Sequence, residues 1–327
     1  MNQIVVIGAS AGGIPALQTI VGQLSPDFPA PILVVVHISD SHESVLPNML
    51  KRAGSLNAVH PYNGQQVEPG TIYVAPPNYH MVMIDHHVQL KNLPKENRHR
   101  PAIDPLFRSA ARAHGDNVVG VILSGALDDG TGGLIDIKQH KGIAVVQDPQ
   151  DAMFSSMPES ACRYVDVDYI LPADEIGRQL TQILIEVEDR MEQPSGSSQT
   201  PQNTIDIADK KEVMLHDLHD QPGEVTPYAC PDCNGNLWIA RENGFDLYWC
   251  HIGHRYTKRT LLAEKSSKIE AALFEALRNL KEGVALGHET LNSDSQDSNS
   301  VILEEIRKDV QLREKQLQSL QQIIEQM

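Results

Sequence analysis

The chain has 327 residues, 41% of them hydrophobic, enough for a packed core and for more than one folded unit. Its 27 Lys and Arg stand against 43 Asp and Glu, a formal charge of −16, which argues against nucleic-acid binding because that work needs a basic face. No apolar run approaches the length of a membrane span, and no basic stretch precedes the first apolar residues, so neither membrane insertion nor a secretory leader is expected, and a cytoplasmic location is.

The first predicted strand, Ile4-Val5-Val6-Ile7, runs straight into Gly8-Ala9-Ser10-Ala11-Gly12-Gly13 and then a helix. Glycines on both sides of a serine let the backbone turn sharply and leave the hydroxyl clear at the strand's end. The turn alone leaves two readings open: Ser10 as a nucleophile, or Ser10 as the N-cap of the helix. It is not a P-loop, because no Gly-Lys-Ser/Thr follows, and the glycines do not fit G-x-G-x-x-G. Further apolar strands are expected at Ile32–Val36, Thr71–Ala75, Val118–Leu123, Ile143–Val146 and Tyr169–Leu171. Met81–Ile84 and Val88–Leu90 read as a hairpin, and helices are expected over Pro105–His114, Gly133–His140 and from Pro172 to about Glu188. Continuous β-branched runs alternating with helices mean an α/β fold, a doubly wound, mostly parallel sheet covered on both faces, here with a short β-hairpin.

The expected organisation is an α/β domain over 1–190, a polar, turn-rich flexible linker over 191–226, a small separate unit over 227–257, a helix over 258–290 and a coiled-coil segment over 301–327. The helix carries Leu262, Ile269, Leu273, Leu277, Leu280 and Val284 near one stripe, and Asn292–Ser300 is a polar break. In the last segment Leu303, Ile306, Val310, Arg313, Leu317, Leu320, Ile324 and Met327 are spaced alternately by three and four, with one charged member. That spacing fits a coiled-coil seam, for a homodimer or a signalling partner, or a single amphipathic helix docked on its own chain.

The unit at 227–257 holds three of the chain's four cysteines. Cys230-Pro231-Asp232-Cys233 and Cys250-His251-Ile252-Gly253-His254 bracket a predicted hairpin of Leu237–Ala240 and Leu247–Trp249. Closely spaced thiols with a Cys/His pair suit tetrahedral zinc in a ribbon-like knuckle, with Cys230, Cys233 and Cys250 as ligands. The fourth is His254 or His251, and His254 is preferred because its wider spacing lets the loop turn around the ion. A closed set of four leaves no open position, so the expected Zn2+ is structural; no cofactor is expected for catalysis.

Three chemically suited side chains follow predicted parallel strands: Ser10, then His37 after Val34-Val35-Val36, then Asp128 or Asp129 after Leu123-Ser124-Gly125. Ligand sites in open parallel sheets lie beyond the carboxyl ends of the strands, so the three could share one crevice. A serine hydroxyl needs a base to take its proton, imidazole does this near neutral pH, and a carboxylate orients the imidazole. The order Ser…His…Asp differs from that of the α/β-hydrolases.

Residues 4–184 resemble the catalytic domain of the CheB-type protein-glutamate methylesterases of chemotaxis. The segments that carry the resemblance are Val6–Gly13, Val36-His37, Tyr73-Val74-Ala75-Pro76-Pro77-Asn78-Tyr79-His80, Arg98-His99-Arg100-Pro101-Ala102-Ile103-Asp104-Pro105-Leu106-Phe107 and Leu123-Ser124-Gly125-Ala126-Leu127-Asp128-Asp129-Gly130-Thr131. The resemblance implies Ser10 as nucleophile, His37 as base and Asp129, the residue directly before the glycine, as the acid that orients it. It also implies methylated chemoreceptors or related receptors as substrates, and backbone N–H groups of the Ala11-Gly12-Gly13 turn as oxyanion donors. Ala126 departs from the methionine often found there in the family, and the Cys/His unit resembles an extension on some stand-alone CheB-like proteins. Well-known members carry a phosphoryl-receiver domain ahead of the esterase; this chain begins at the esterase, so that control is not expected. The alternative function is a regulatory adaptor that keeps the fold and works through its zinc unit and coiled coil.

Overall fold

The computed structural model describes residues 3–37, 44–192, 223–242, 244–293 and 300–326. The core of the expected linker (193–222), most of the polar break (294–299), Asn243 and Met327 lie outside the described residues. By compactness the chain divides into two units, Met1–Leu261 and Leu262–Met327.

The first unit is built on a seven-stranded sheet in which every pairing is parallel. In chain order its strands are β1 (Ile4–Ala9), β2 (Ile32–Val36), β3 (Asn57–Val59), β5 (Thr71–Val74), β8 (Val118–Ile122), β9 (Ile143–Gln147) and β10 (Tyr169–Leu171), arranged β10-β9-β8-β1-β2-β5-β3. A separate three-stranded sheet joins β4 (Gln65–Gln66) to the hairpin of β6 (His80–Ile84) and β7 (His87–Lys91). Helices α1 (Gly13–Val21), α2 (Leu46–Ala53), α3 (Ile103–His114), α4 (Thr131–Gln139), α5 (Ser156–Tyr164) and α6 (Ala173–Glu192) complete the α/β part.

The central strands are apolar at every position because both faces are covered. On β1, Val5 and Ile7 face a core shared with Leu17 and Ile20 of α1 and Ile176 and Leu180 of α6. Ile4 and Val6 face the opposite core, with Phe107 of α3 and Leu134 of α4. The winding reverses at β1, which pairs with β2 on one side (Ile7 opposite Val34) and β8 on the other (Ile7 opposite Val121). In open parallel sheets ligands bind beyond the carboxyl ends of the strands at such a reversal.

A four-stranded antiparallel ribbon follows: β11 (Glu224–Ala229), β12 (Asn236–Glu242), β13 (Phe245–Cys250) and β14 (Arg255–Thr257). The sequence places it in a separate unit, whereas the structure packs it within the same compact unit as the parallel sheet. Phe245 carries much of that packing. It is buried in the core beside α3 and α4, and its ring meets Tyr164 edge-on at 5.4 Å between centroids. The ribbon also has a small core of its own from Leu237, Ile239, Tyr248, Tyr256 and Leu261.

Two long helices close the described chain, α7 (Lys258–Ser293) and α8 (Ser300–Glu325). In the second unit the heptad positions of α8 are its less exposed ones, and Val310 is 3% exposed. Val310 fills the space beside Gly287, Arg313 lies against Gly283, and His288 Nε2 meets Glu314 Oε1 at 3.0 Å. The seam is therefore used antiparallel, between α7 and α8 of one chain. Leu262 and Ile269, expected on the same stripe, are exposed.

Candidate active site

The three strand ends bring Ser10, His37 and Asp129 together. Ser10 Oγ lies 3.1 Å from His37 Nδ1, and His37 Nε2 lies 2.7 Å from Asp129 Oδ2. The imidazole thus shows Nδ1 to the serine and Nε2 to the acid, the reverse of the serine-protease arrangement in which Nε2 faces the serine. With the proton on Nε2 donated to the carboxylate, Nδ1 is left as the acceptor for the serine hydroxyl.

The capping reading of Ser10 does not hold. The N-cap of α1 is Gly12, and no side chain caps that helix. Gly12 is left-handed (φ 70°), and a Cβ there would come within 2.7 Å of Met153 Cβ and 2.9 Å of Ser124 Oγ, so the turn has room only for glycine. Of the proposed oxyanion donors, the Gly13 N–H is already given to the Ser10 carbonyl at 3.0 Å. That leaves the N–H groups of Ala11 and Gly12 as the turn's candidates. The Ser124 hydroxyl donates to the Ala11 carbonyl at 2.8 Å and accepts from the Phe154 N–H at 2.9 Å, tying the serine turn to the loop before α5. That loop sets Met153 (70% exposed) and Phe154 beside the serine turn, an apolar rim near the exposed Ala126.

Asp129 is buried and its two oxygens collect a full set of donors. Oδ2 accepts from His37 and from the Ile103 N–H at 2.7 Å; Oδ1 accepts from Asn97 Nδ2 at 2.8 Å and the Asp104 N–H at 3.4 Å. Burial alone would push this carboxyl up, but the donors, led by His37, hold it well below the usual carboxylate range. Its neighbour Asp104 goes the other way: burial, and the charge of Asp129, raise its pKa. Both acids are bridged by the same Asn97 amide, and Asp104 Oδ1 also accepts the Gly133 N–H at 2.7 Å.

Asp128, the sequence's other candidate acid, points elsewhere. Its Oδ1 accepts the Thr257 hydroxyl at 2.6 Å, and burial pushes its pKa up to about 6. Nothing local in the sequence marks Asn97, Thr257 or Thr260 as site residues, and His99 stands out there only as part of the basic Arg98-His99-Arg100 cluster, which reads as a contact for acidic substrate surface or as a solvated loop. His99 lies flat on His37, ring centroids 3.6 Å apart and 10° from parallel, and burial, followed by the proximity of His37, drives its pKa down to about 3. It stays neutral, its ring stacked on that of His37. The 96–99 turn that carries Asn97 and His99 is closed by mutual backbone bonds of Glu96 and His99, with φ positive at both Asn97 and Arg98, as in type I′ turns. Arg108 Nη2 holds Glu96 at 2.9 and 3.0 Å.

In the ribbon, Cys230, Cys233, Cys250 and His254 bring one ligand atom each to within 4.8 Å of one another. Cys233 Sγ and Cys250 Sγ are 3.6 Å apart, and His254 Nδ1 lies 3.4 Å from Cys250 Sγ and 3.7 Å from Cys230 Sγ. A tetrahedral ion with metal–sulfur bonds of ~2.3 Å requires edges of roughly 3.8 Å, close to these separations. His251, the alternative fourth ligand, is exposed and outside the cluster. Asp232 approaches the other ring nitrogen of His254 at 3.9 Å and accepts the Tyr256 hydroxyl at 2.6 Å.

The CheB methylesterase family profile matches residues 5–180, more than half of the chain. The chain belongs to the CheB methylesterase family. A "putative protein-glutamate methylesterase/protein-glutamine glutaminase" of Leptospira interrogans is 39% identical over 173 residues, 53% of this chain and 90% of that protein. The "protein-glutamate methylesterase/protein-glutamine glutaminase 2" of Anaeromyxobacter dehalogenans is 38% identical over 181 residues, and the match spans 53% of its length, so this chain covers about half of that relative. The crystal structure of the Thermotoga maritima CheB methylesterase catalytic domain matches with a TM-score of 0.54 and 33% identity, covering 56% of this chain and 99% of that one. The CheB match contains Ser10, His37, Asn97, His99 and Asp129; the ribbon, α7 and α8 lie outside it.

Proposed function

We propose that this chain hydrolyses glutamate 5-methyl esters on chemoreceptor-type signalling proteins and, with the same groups, deamidates glutamine. The observation that carries the reading is the hydrogen-bonded line Ser10 Oγ, His37 Nδ1, His37 Nε2, Asp129 Oδ2, at 3.1 and 2.7 Å. The names of the Leptospira and Anaeromyxobacter relatives support the substrate class.

Ser10 Oγ attacks the ester carbonyl as its proton passes to His37 Nδ1. The Asp129 carboxylate steadies the imidazolium through Nε2–H without taking its proton. Ala11 and Gly12 N–H groups receive the charge that develops on the carbonyl oxygen. As the tetrahedral species collapses, the proton on Nδ1 goes to the departing methoxide and methanol leaves. Water, deprotonated by His37, then attacks the acyl-serine; the proton returns to Ser10 and glutamate is released. For glutamine the leaving group is ammonia.

The Cys230, Cys233, Cys250 and His254 set would hold zinc structurally, joining the ends of the β12–β13 hairpin to the turns beside them. All four positions are filled by protein, so the ion supplies fold stability and takes no part in the reaction. The test is methanol release from methylated receptor by the wild-type chain and by Ser10→Ala. Release falls to the uncatalysed level in the variant; undiminished release would overturn the nucleophile assignment.

A further inference from the structure

Asn97 is 1% exposed, and its carboxamide is hydrogen-bonded at both ends. The two Nδ2 protons go to Asp129 Oδ1 and Asp104 Oδ2, each at 2.8 Å. Oδ1 accepts the Thr257 N–H at 3.0 Å and faces the Thr260 hydroxyl at 3.2 Å, which also reaches the Thr257 hydroxyl at 2.9 Å and the Thr257 carbonyl at 3.1 Å. Its backbone N–H donates to the Arg255 carbonyl at 2.9 Å. The main chain and side chain of Asn97 are thus both held by β14 and the first turn of α7, a segment about 160 residues away in sequence.

The direction of this amide matters because its oxygen and nitrogen occupy nearly the same shape. Turned the other way, Oδ1 would face two buried carboxyls and the catalytic acid would lose a donor. The two carboxyls call for N–H at one end, and the Thr257 N–H calls for oxygen at the other, with the Thr260 hydroxyl beside it. Thr257 itself is fixed three ways. Its hydroxyl donates to Asp128 at 2.6 Å and accepts the Thr260 N–H at 3.1 Å, which makes it the N-cap of α7. Its strand begins one residue after the ligand candidate His254, and between them Tyr256 is anchored on Asp232.

We infer that Thr257 and Thr260 are positioning residues of the triad: the ribbon and the cap of α7, outside the family's catalytic domain, set the Asn97 amide that aligns Asp129. The inference rests on the Ser10 triad reading of the proposed function.

The test uses the full chain with Thr260→Val, the double variant Thr257→Val/Thr260→Val, and Thr260→Ser as the conservative replacement. Two readouts are taken: the rate at which a fluorophosphonate labels Ser10, with Ser10→Ala as blank, and the low-field proton resonance of His37 Nε2–H on Asp129. Labelling slows about tenfold in the double variant and severalfold in Thr260→Val, as the loss of a supporting hydrogen bond does elsewhere. The resonance moves in both, and Thr260→Ser restores both readouts. Wild-type rates and an unmoved resonance in Thr260→Val and the double variant would overturn the inference, as would Thr260→Ser behaving like Thr260→Val. Should the wild type resist labelling, the esterase reading fails, and the resonance alone decides whether the threonines hold the acid.

Discussion

Two adjacent aspartates in the loop between β8 and α4 have opposite electrostatics, and the difference lies in their donors. Asp129 collects four, one of them the His37 imidazole, and stays charged; Asp128 has the Thr257 hydroxyl and is buried, so its proton is held up to about pH 6. The sign follows from proton linkage. An unfolded aspartate releases its proton near pH 4, so between about 4 and 6 the native state binds more protons than the unfolded one, and stability falls as pH rises through that window. Above it the cost of a buried charge is fully present, on the order of 2–3 kcal/mol. Asp128→Asn keeps an oxygen for the Thr257 hydroxyl and removes that charge. Its urea unfolding free energy should exceed wild type at pH 7 by about that amount and match it near pH 4. A variant equally destabilised at both values would contradict the argument. Asp129 behaves in the opposite sense: its depressed pKa contributes stability that is lost on acidification, as pH falls through the carboxylate range.

At the level of elements, the ribbon is joined to the esterase through an apolar contact and a polar one. Phe245, at the start of β13, is 7% exposed and packs on Tyr164 of α5. Truncating a buried phenylalanine costs roughly 3–5 kcal/mol. Phe245→Ala should therefore lower the unfolding free energy of the full chain by about 3 kcal/mol and open the ribbon to limited proteolysis before the parallel sheet. A loss below about 1 kcal/mol would mean that the ribbon docks mainly through Asn97, Asp128 and the two threonines. Elements of this kind explain what was legible in the sequence. Ile4–Ala9, Ile32–Val36 and Val118–Ile122 stand out because a strand buried on both faces is apolar throughout; the serine turn and His37 follow directly on such strands, and Asp129 lies in the loop that leaves the third. Strands such as Asn57–Val59, Gln65–Gln66, Glu224–Ala229 and Arg255–Thr257 are short or polar and carry no period to read. The heptad of α8 was legible, but spacing does not distinguish a partner on another chain from the neighbouring α7. Asn97 left no trace because its role comes from contacts about 160 residues distant, and a carboxamide between two acids has no local signature.

For the molecule as a whole, the packing predicts how residues up to Leu261 unfold. A family domain followed by a linker and a metal knuckle would ordinarily melt in two steps, the knuckle alone responding to chelation. Here the ribbon shares the compact unit of the parallel sheet, contributes Phe245 to its core, and hydrogen-bonds to residues beside Asp129. Structural zinc sites add their binding free energy to folding, because the ligand set exists only in the folded state. With zinc held by Cys230, Cys233, Cys250 and His254 as proposed, its loss should therefore be felt throughout the unit. Calorimetry of the full chain should show one transition that accounts for both the parallel sheet and the ribbon, moving to lower temperature on addition of a zinc chelator and returning on addition of Zn2+. Fluorescence from Trp238 and Trp249, both in the ribbon, should follow the same curve as that calorimetric transition. Two resolved transitions, with chelator moving only the one seen by tryptophan, would show that the ribbon folds apart from the esterase. It would also mean that the contacts at Asn97 are too weak to couple metal binding to the triad.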